Sequence, residues 1–326
     1  MGSKKFLSLV VGCWLPCPVL CFALVLGLIV GCDPSDEETN IYRKGRYFPG
    51  GINVPVASLI SEWAGKVRVM GSAWLIDGGN GALFSAKHVT DAFMGNIVEL
   101  GGSECKVFLS GKIYDCTIAR VPPLRDAVVL NISSPFKLSE LPKPYKIAET
   151  KVKLGDQVFI QGLHLHSLEI RELNKKEGFG DFVVPIFKTF YGRRFGNKCN
   201  EREEVFHNIE AKVTALDVRI KIDDQENDPM GGLKYKTNRY FMVKTLRNHK
   251  FSFAGLSGGV AVRLSKNGEP EAVGIITGEK PVELEYDKNR NLKNSPCGQP
   301  IMTADTIAVT PIESVSELID YARYSR

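Results

Sequence analysis

A long series of short apolar runs, starting at Lys66, constrains the fold of this 326-residue chain more than any other feature. The runs are rich in β-branched residues and are separated by glycine, proline, asparagine and aspartate, which is the pattern of short strands joined by turns. They occupy residues 66–69, 73–76, 82–85, 97–100, 106–109, 127–132, 157–160, 181–186, 211–218, 241–244, 260–264, 272–277 and 307–311. Only residues 312–324 repeat apolar side chains at helical spacing. The sequence therefore predicts an all-β protein, a sandwich or barrels, with one C-terminal helix.

The N-terminus is typical of a targeting segment. Lys4 and Lys5 precede residues 6–31, a stretch without a charged side chain, as in a secretory signal. The stretch ends in Ile-Val-Gly before Cys32, and this resembles the bacterial lipobox, which implies cleavage before Cys32 and lipid attachment to its sulfur. An uncleaved membrane anchor is the alternative, because about 20 apolar residues span a bilayer.

Both alternatives place the folded part outside the cytoplasm, tethered to a membrane. Asp33 follows the cysteine and resembles the signal that retains lipoproteins at the inner membrane of Gram-negative bacteria. We therefore expect a signal peptide or anchor at 1–31, a polar tether at 32–51 and a domain at 52–326 on the periplasmic face of that membrane.

Four of the eight cysteines lie outside the N-terminal segment. An even number in an exported domain favours disulfides. Cys105 and Cys116 flank two short strands around Ser110 and Gly111, so a disulfide across this hairpin is expected. Cys199 and Cys297 then remain as a second pair, and four free or buried thiols are the alternative.

The charge balance argues against a nucleic-acid partner. The net charge is +5, and it falls to +3 without Lys4 and Lys5. Proteins that bind nucleic acids usually carry a larger and more clustered basic excess. Residues 191–195, Tyr-Gly-Arg-Arg-Phe, form the nearest approach to an aromatic and basic patch, and we interpret them as a solvated loop.

Residues 255–259, Gly-Leu-Ser-Gly-Gly, carry the strongest chemical signal. Glycines around a serine allow backbone N–H groups to converge on a substrate oxygen, and a serine nucleophile needs a histidine base. All five histidines precede Ser257, which excludes the α/β-hydrolase order, in which the histidine comes last. The order that fits is histidine, aspartate, serine.

With these motifs the chain resembles the chymotrypsin-like serine peptidases over roughly residues 66–315. Residues 71–76 and 82–89 resemble the strand, turn and strand that lead to the family's catalytic histidine, and Arg125 to Leu130 resembles the strand bearing its aspartate. Residues 155–162, 272–278 and 308–312 resemble the end of the first barrel, the strand lining the substrate cleft and the strand before the final helix.

The resemblance implies two six-stranded antiparallel barrels, at about 52–163 and 205–311, with a C-terminal helix at 312–324 and long loops or an insertion at about 164–250. It implies a catalytic triad of His88, Asp126 and Ser257, and an oxyanion hole made by the backbone N–H groups of Gly255 and Ser257. No cofactor or metal is expected. A zinc site built from His164, His166, His207 and Cys199 is the weaker alternative.

Two departures affect regulation and specificity. Leu256 stands where trypsin has an aspartate that pairs with a newly cut N-terminus, so this activation is not expected, and the support of the oxyanion loop is left open. Phe251 falls at the expected base of the substrate pocket, with Ile276 and Thr277 as a wall. No acidic residue stands out there, so an apolar or small substrate side chain is expected.

The function predicted from these features is a membrane-tethered, extracytoplasmic serine endopeptidase that acts on proteins or peptides. The alternative is a catalytically silent lipoprotein that keeps the protease fold and binds a protein partner. Leu256 and the long stretch 164–250 motivate that alternative.

Overall fold

In the computed structural model, the apolar runs form strands of two antiparallel barrels. The structure describes residues 46–47, 53–63, 66–90, 104–122, 125–167, 172, 176, 183–190, 201–224, 234–250, 252–253, 255–279, 283–295, 298 and 300–324. The N-terminal strand β1 (Arg46–Tyr47) lies outside both barrels.

The first barrel closes in the order β2-β3-β4-β7-β6-β5. Its strands are β2 (Val56–Trp63), β3 (Lys66–Leu75), β4 (Ala82–Ser85), β5 (Glu104–Leu109), β6 (Lys112–Arg120) and β7 (Val128–Ile132). Between β5 and β6, Ser110 and Gly111 both have positive φ angles, 49° and 82°. Two such residues are what a tight hairpin turn of matching twist requires.

The second barrel closes because β9 pairs with both β11 and β13. Its strands, in ring order, are β9 (Gln157–Ser167), β11 (Glu201–Asp224), β12 (Lys234–His249), β16 (Met302–Pro311), β14 (Pro270–Glu279) and β13 (Val260–Leu264). A 3₁₀ turn (Ile312–Val315) and the C-terminal helix (Ser316–Tyr324) follow. The predicted two-barrel architecture and the C-terminal helix are thus confirmed.

Three short strands add to this frame. They are β8 (Lys146–Ile147), β10 (Val183–Phe190) and β15 (Glu283–Leu284). β10 pairs with β11, and β1 pairs with the outer edge of β10. A strand edge carries unpaired backbone groups, and β1 satisfies part of this edge although it lies inside the range predicted to be a polar tether.

The described part of the stretch predicted to hold long loops or an insertion is largely strand. β11 and β12 stay paired from Ala211 opposite Thr245 out to Asp224 opposite Lys234, so they form a long ribbon. The runs predicted at 211–218 and 241–244 lie within these strands, and apolar and charged side chains alternate at 218–222, which is a strand pattern. The cross-strand pairing, which is a tertiary contact, supplies the strand structure here.

Each barrel contains its own apolar cluster, and another apolar cluster lies between the two barrels. Leu59, Leu83 and Leu130 lie in the interior of the first barrel, and Ile160 and Phe241 in that of the second. The joining cluster contains side chains from both barrels and from the C-terminal helix: Trp74, Phe84, Leu163, Val260, Ile275 and Ile319. This shared core fixes one barrel against the other and so determines how residues from both can meet.

The disulfide expected across the first hairpin is present, since Cys105 of β5 and Cys116 of β6 are bonded with their Cα atoms 5.2 Å apart. We expect the double variant Cys105→Ala/Cys116→Ala to lose about 2–3 kcal/mol of unfolding free energy, because the bond closes a short loop in the unfolded chain. Urea denaturation measures this loss. Reducing the wild type should lower the midpoint by a similar amount, and an unchanged midpoint in both cases would contradict the prediction.

Candidate active site

His88 and Asp126 are brought together by the pairing of β4 with β7. Ser85 at the end of β4 lies opposite Val128 at the start of β7. His88 sits in the helical turn at 87–90 that follows β4, and Asp126 lies two residues before Val128. The Nδ1 of His88 is 2.8 Å from one carboxylate oxygen of Asp126, and the His88 backbone N–H donates to the other at 3.0 Å. Both carboxylate oxygens therefore hold the histidine.

The histidine faces solvent while the aspartate does not. The side chain of His88 is 45% exposed, against 13% for Asp126. Burial raises the pKa of Asp126, but the neighbouring His88 charge and the hydrogen bonds from His88 and the Lys87 backbone outweigh it, so that pKa lies below its usual range. An ionised carboxylate keeps the proton of a neutral imidazole on Nδ1, so Nε2 is the unprotonated nitrogen that can act as a base.

Ser257 lies in a loop that is fixed between the two barrels. The Ser72 backbone N–H, on β3 of the first barrel, donates to the Ser257 carbonyl oxygen at 2.8 Å. On the other side, the Gly258 N–H donates to the Ile276 carbonyl at 2.7 Å, and the Ile276 N–H donates to Gly259 at 2.9 Å. The loop therefore lies along β14 and is held against the barrel that carries His88 and Asp126.

The Ser72 side chain adds a second link between the barrels. Its hydroxyl accepts the Leu163 N–H at 2.8 Å and lies 3.1 Å from the Leu163 carbonyl and 3.2 Å from the Gly255 carbonyl, to which it donates. The hydroxyl is fully buried, where an unmade hydrogen bond would be costly. No local pattern singles out Ser72, because its partners are 91 and 183 residues away in the chain.

Leu256 secures the same loop by burial. Its side chain is fully buried in the second-barrel core, and a Cβ on Gly162 would come within 2.9 Å of its Cδ2. Burying a leucine side chain contributes roughly 1.5–3 kcal/mol. Apolar burial of Leu256 therefore holds this loop against the second barrel.

The backbone of Gly255 is set for an oxyanion site. Its φ angle is +99°, in the region that only glycine adopts without strain. Within the described residues, the N–H groups of Gly255 and Ser257 donate to no backbone carbonyl. The prediction that these two groups bind the substrate oxygen remains a prediction.

The predicted pocket residues are placed as follows. Phe251 lies outside the described residues. The Ile276 side chain is buried in the second core, and the Thr277 hydroxyl donates to the Ala308 carbonyl at 3.2 Å. Both side chains therefore contact the second barrel.

An acidic side chain lies beside the chain segment that precedes Ser257. The carboxylate of Glu279, the last residue of β14, accepts the Phe253 backbone N–H at 2.7 Å and the Ser252 hydroxyl. These two partners lie four and five residues before Ser257. Counting along the strand beyond Thr277 would have found this residue, but the sequence does not show which way the strand end faces.

Three histidines meet behind the Ser257 loop. The ring centroids of His164, His207 and His249 are 5.6–6.4 Å apart, and His249 stacks on Phe253 at 4.8 Å. Burial and the neighbouring histidine charges hold the pKa of His207 well below its usual range. Within the described part of the chain, no group of histidine, cysteine and acidic side chains has an arrangement suited to a metal ion, and Cys199 lies outside it.

The N-terminal predictions lie outside the described residues. These are the segment 1–31 and the lipidation site Cys32. Cys297, of the second predicted disulfide, also lies outside the described residues. Among the helices that the structure describes, none has the length and apolar character needed to cross a bilayer.

Two antiparallel six-stranded barrels with a C-terminal helix define a chymotrypsin-like serine protease fold. Among solved structures, the chain is similar to the active form of the Rv3671c protease from M. tuberculosis, with a TM-score of 0.46 and 16% identity over 82% of this chain and 80% of that one. It is also similar to the MamO protease domain from Magnetospirillum magneticum, with a TM-score of 0.42 and 12% identity over 83% of this chain and 98% of that one. No family model matches the chain, and no curated protein matches it significantly.

Proposed function

We propose that this protein is a serine endopeptidase with Ser257 as nucleophile, His88 as general base and Asp126 as the residue that orients the histidine. The observation that carries the proposal is the pair of contacts between the Asp126 carboxylate and His88, at 2.8 and 3.0 Å. The Ser257 loop is hydrogen-bonded to the same barrel. A protein or peptide is the substrate that suits this fold and chemistry.

In the proposed reaction, the Ser257 Oγ attacks the scissile carbonyl carbon while the His88 Nε2 takes the hydroxyl proton. The oxygen of the tetrahedral intermediate receives hydrogen bonds from the N–H groups of Gly255 and Ser257. His88 then gives its proton to the leaving amine as the C–N bond breaks. Water hydrolyses the acyl-enzyme by the same steps in reverse.

We also propose that the enzyme works outside the cytoplasm, tethered at the periplasmic face of a bacterial inner membrane. The sequence before the barrels supports this location: an uncharged stretch at 6–31, the lipobox-like residues before Cys32, and Asp33 after it. An acyl chain at Cys32 would anchor the protein to the membrane without spanning it.

Labelling with a fluorophosphonate probe tests the proposed nucleophile. Only a serine activated by a base displaces fluoride from this reagent, so we expect the full wild-type chain to be labelled. Ser257→Ala should show no labelling, and His88→Ala only a trace.

Ser265→Ala, which removes a hydroxyl in the turn after β13, is the matched control and should be labelled like the wild type. An unlabelled, folded wild type, or a labelled Ser257→Ala, would overturn the proposal. The first of these results would favour the catalytically silent, partner-binding alternative.

A further inference from the structure

We infer that the carboxylate of Glu279 forms the end of the substrate pocket and that this pocket takes a basic side chain, lysine or arginine, from the residue before the scissile bond. The inference rests on the proposed function for its meaning as a substrate pocket. It concerns the class of substrate, which the resemblance left as apolar or small.

The space available to that side chain follows from what surrounds Ser257. The first barrel lies on one side of the loop through the Ser72–Ser257 hydrogen bond, and His88, which must reach the leaving amine, is on that barrel. The substrate residue before the scissile bond, whose carbonyl Ser257 attacks, therefore faces the second barrel. There the loop and β14 run together, joined by the bonds between Gly258, Gly259 and Ile276.

Glu279 is the last residue of β14. It lies three residues beyond Ile276 on β14, which corresponds to about 10 Å along an extended strand. Its carboxylate reaches across to Ser252 and Phe253, at the start of the chain segment that leads into the Ser257 loop. A long side chain entering between the two segments would meet this carboxylate at its tip.

Within the described residues, the Glu279 carboxylate has no cationic partner. Burial raises its pKa, while the hydrogen bonds from Ser252 and the Phe253 backbone lower it in part. Among the described side chains, no lysine or arginine forms an ion pair with it, and the neighbouring Lys250 is paired with Glu285 at 2.8 Å. A partly buried carboxylate without a cationic partner attracts a cationic ligand more strongly than an exposed carboxylate does, because its surroundings have a low dielectric constant.

Binding of benzamidine, a small cationic amidine, tests the pocket without requiring turnover, and neutral benzamide is its isostere. We expect calorimetry on the full chain to show benzamidine binding at least 10-fold tighter than benzamide. Glu279→Gln keeps an acceptor for the Phe253 N–H but removes the charge, and it should abolish this preference. Glu271→Gln, which neutralises a carboxylate elsewhere on β14, is the matched control and should leave the preference unchanged.

Cleavage of matched peptides extends the test to substrates. We expect kcat/KM for peptides with lysine or arginine before the scissile bond to exceed that for leucine or alanine by about 100-fold, and Glu279→Gln to remove most of this ratio, as for a lost buried charge pair. Fluorophosphonate labelling should remain the same in that variant.

The outcomes separate the two proposals. Labelling with no benzamidine preference and no preference for basic peptides overturns the inference and leaves the proposed function standing. Benzamidine binding that depends on Glu279, with no labelling, supports the pocket and overturns the proposed function. Benzamidine binding that Glu279→Gln leaves intact overturns the inference, because another group would then hold the cation.

Discussion

Replacing Asp126 by asparagine is expected to lower kcat about 10⁴-fold while the protein stays folded. The reason lies in the two contacts that the carboxylate makes. One oxygen accepts the backbone N–H of His88 and the other faces Nδ1. An asparagine has only one acceptor oxygen for these two donors.

Both orientations of the asparagine amide are therefore harmful. If its oxygen accepts the backbone N–H, its NH₂ group faces Nδ1, so the imidazole proton moves to Nε2 and the histidine cannot take a proton from Ser257. If the amide is flipped, the NH₂ group opposes the backbone N–H of His88, and the turn that carries the histidine is strained. Steady-state kinetics on a peptide substrate measure the loss, with Asp320→Asn on the exposed face of the C-terminal helix as control. A loss below 10-fold would show that another group orients His88.

The same substitution should change the response of stability to acid. The pKa of Asp126 is lower in the folded protein than its ordinary value of 3.8, so ionisation favours folding. This stabilisation is complete above the unfolded-state pKa and is lost as the pH falls through the folded-state pKa, that is, below about pH 4. Urea denaturation across this range should show a smaller decline in Asp126→Asn than in the wild type.

Gly258→Ala is expected to abolish labelling of Ser257 and to destabilise the fold by several kcal/mol. The φ angle of Gly258 is +84°, where a residue with a side chain is strained. A Cβ at this position would overlap the Ser72 carbonyl oxygen and the Ser85 hydroxyl, and would lie 3.1 Å from the Ala86 N–H group.

These neighbours cannot move aside without cost. The Ser85 hydroxyl donates to the Ser72 carbonyl at 2.7 Å, and both are buried. The added methyl group would push the Ser257 loop away from the barrel that holds His88. We therefore expect the labelling of Ser257 and the unfolding free energy to decrease together. Gly268→Ala is the matched control: its φ angle is +76° with no atom within 4 Å of the added Cβ, so it should cost about 1 kcal/mol and leave labelling intact. Normal labelling of a stable Gly258→Ala would contradict this account.

The local patterns in the sequence were sufficient for much of the architecture. Short β-branched runs separated by turn residues predicted a β protein, and helical spacing at 312–324 predicted the terminal helix that the structure contains. The hairpin at Ser110 and Gly111, with its disulfide, was likewise predictable from neighbours in the chain. Contacts of this kind depend on a few adjacent residues, which a sequence displays directly.

The long strands β11 and β12 were not predictable in the same way. The runs at 211–218 and 241–244 predicted only part of each strand, and their full length rests on cross-strand pairing out to Asp224 opposite Lys234. A similar limit applies to the pocket. The absence of an acidic residue near Phe251 in the sequence did not anticipate that Glu279, 28 positions later, would turn its carboxylate toward Ser252 and Phe253.

Residue type and spacing alone specify the order of His88, Asp126 and Ser257, the glycines around the serine and the alternation of strand and turn. The contacts that hold these residues in place depend on the complete fold. The two-point contact of Asp126 with His88, the Ser72 links to the Ser257 loop, the burial of Leu256 and the position of Glu279 all join residues that are distant in the chain. Barrel closure and the shared core bring such residues together, and no local pattern records which of them will meet.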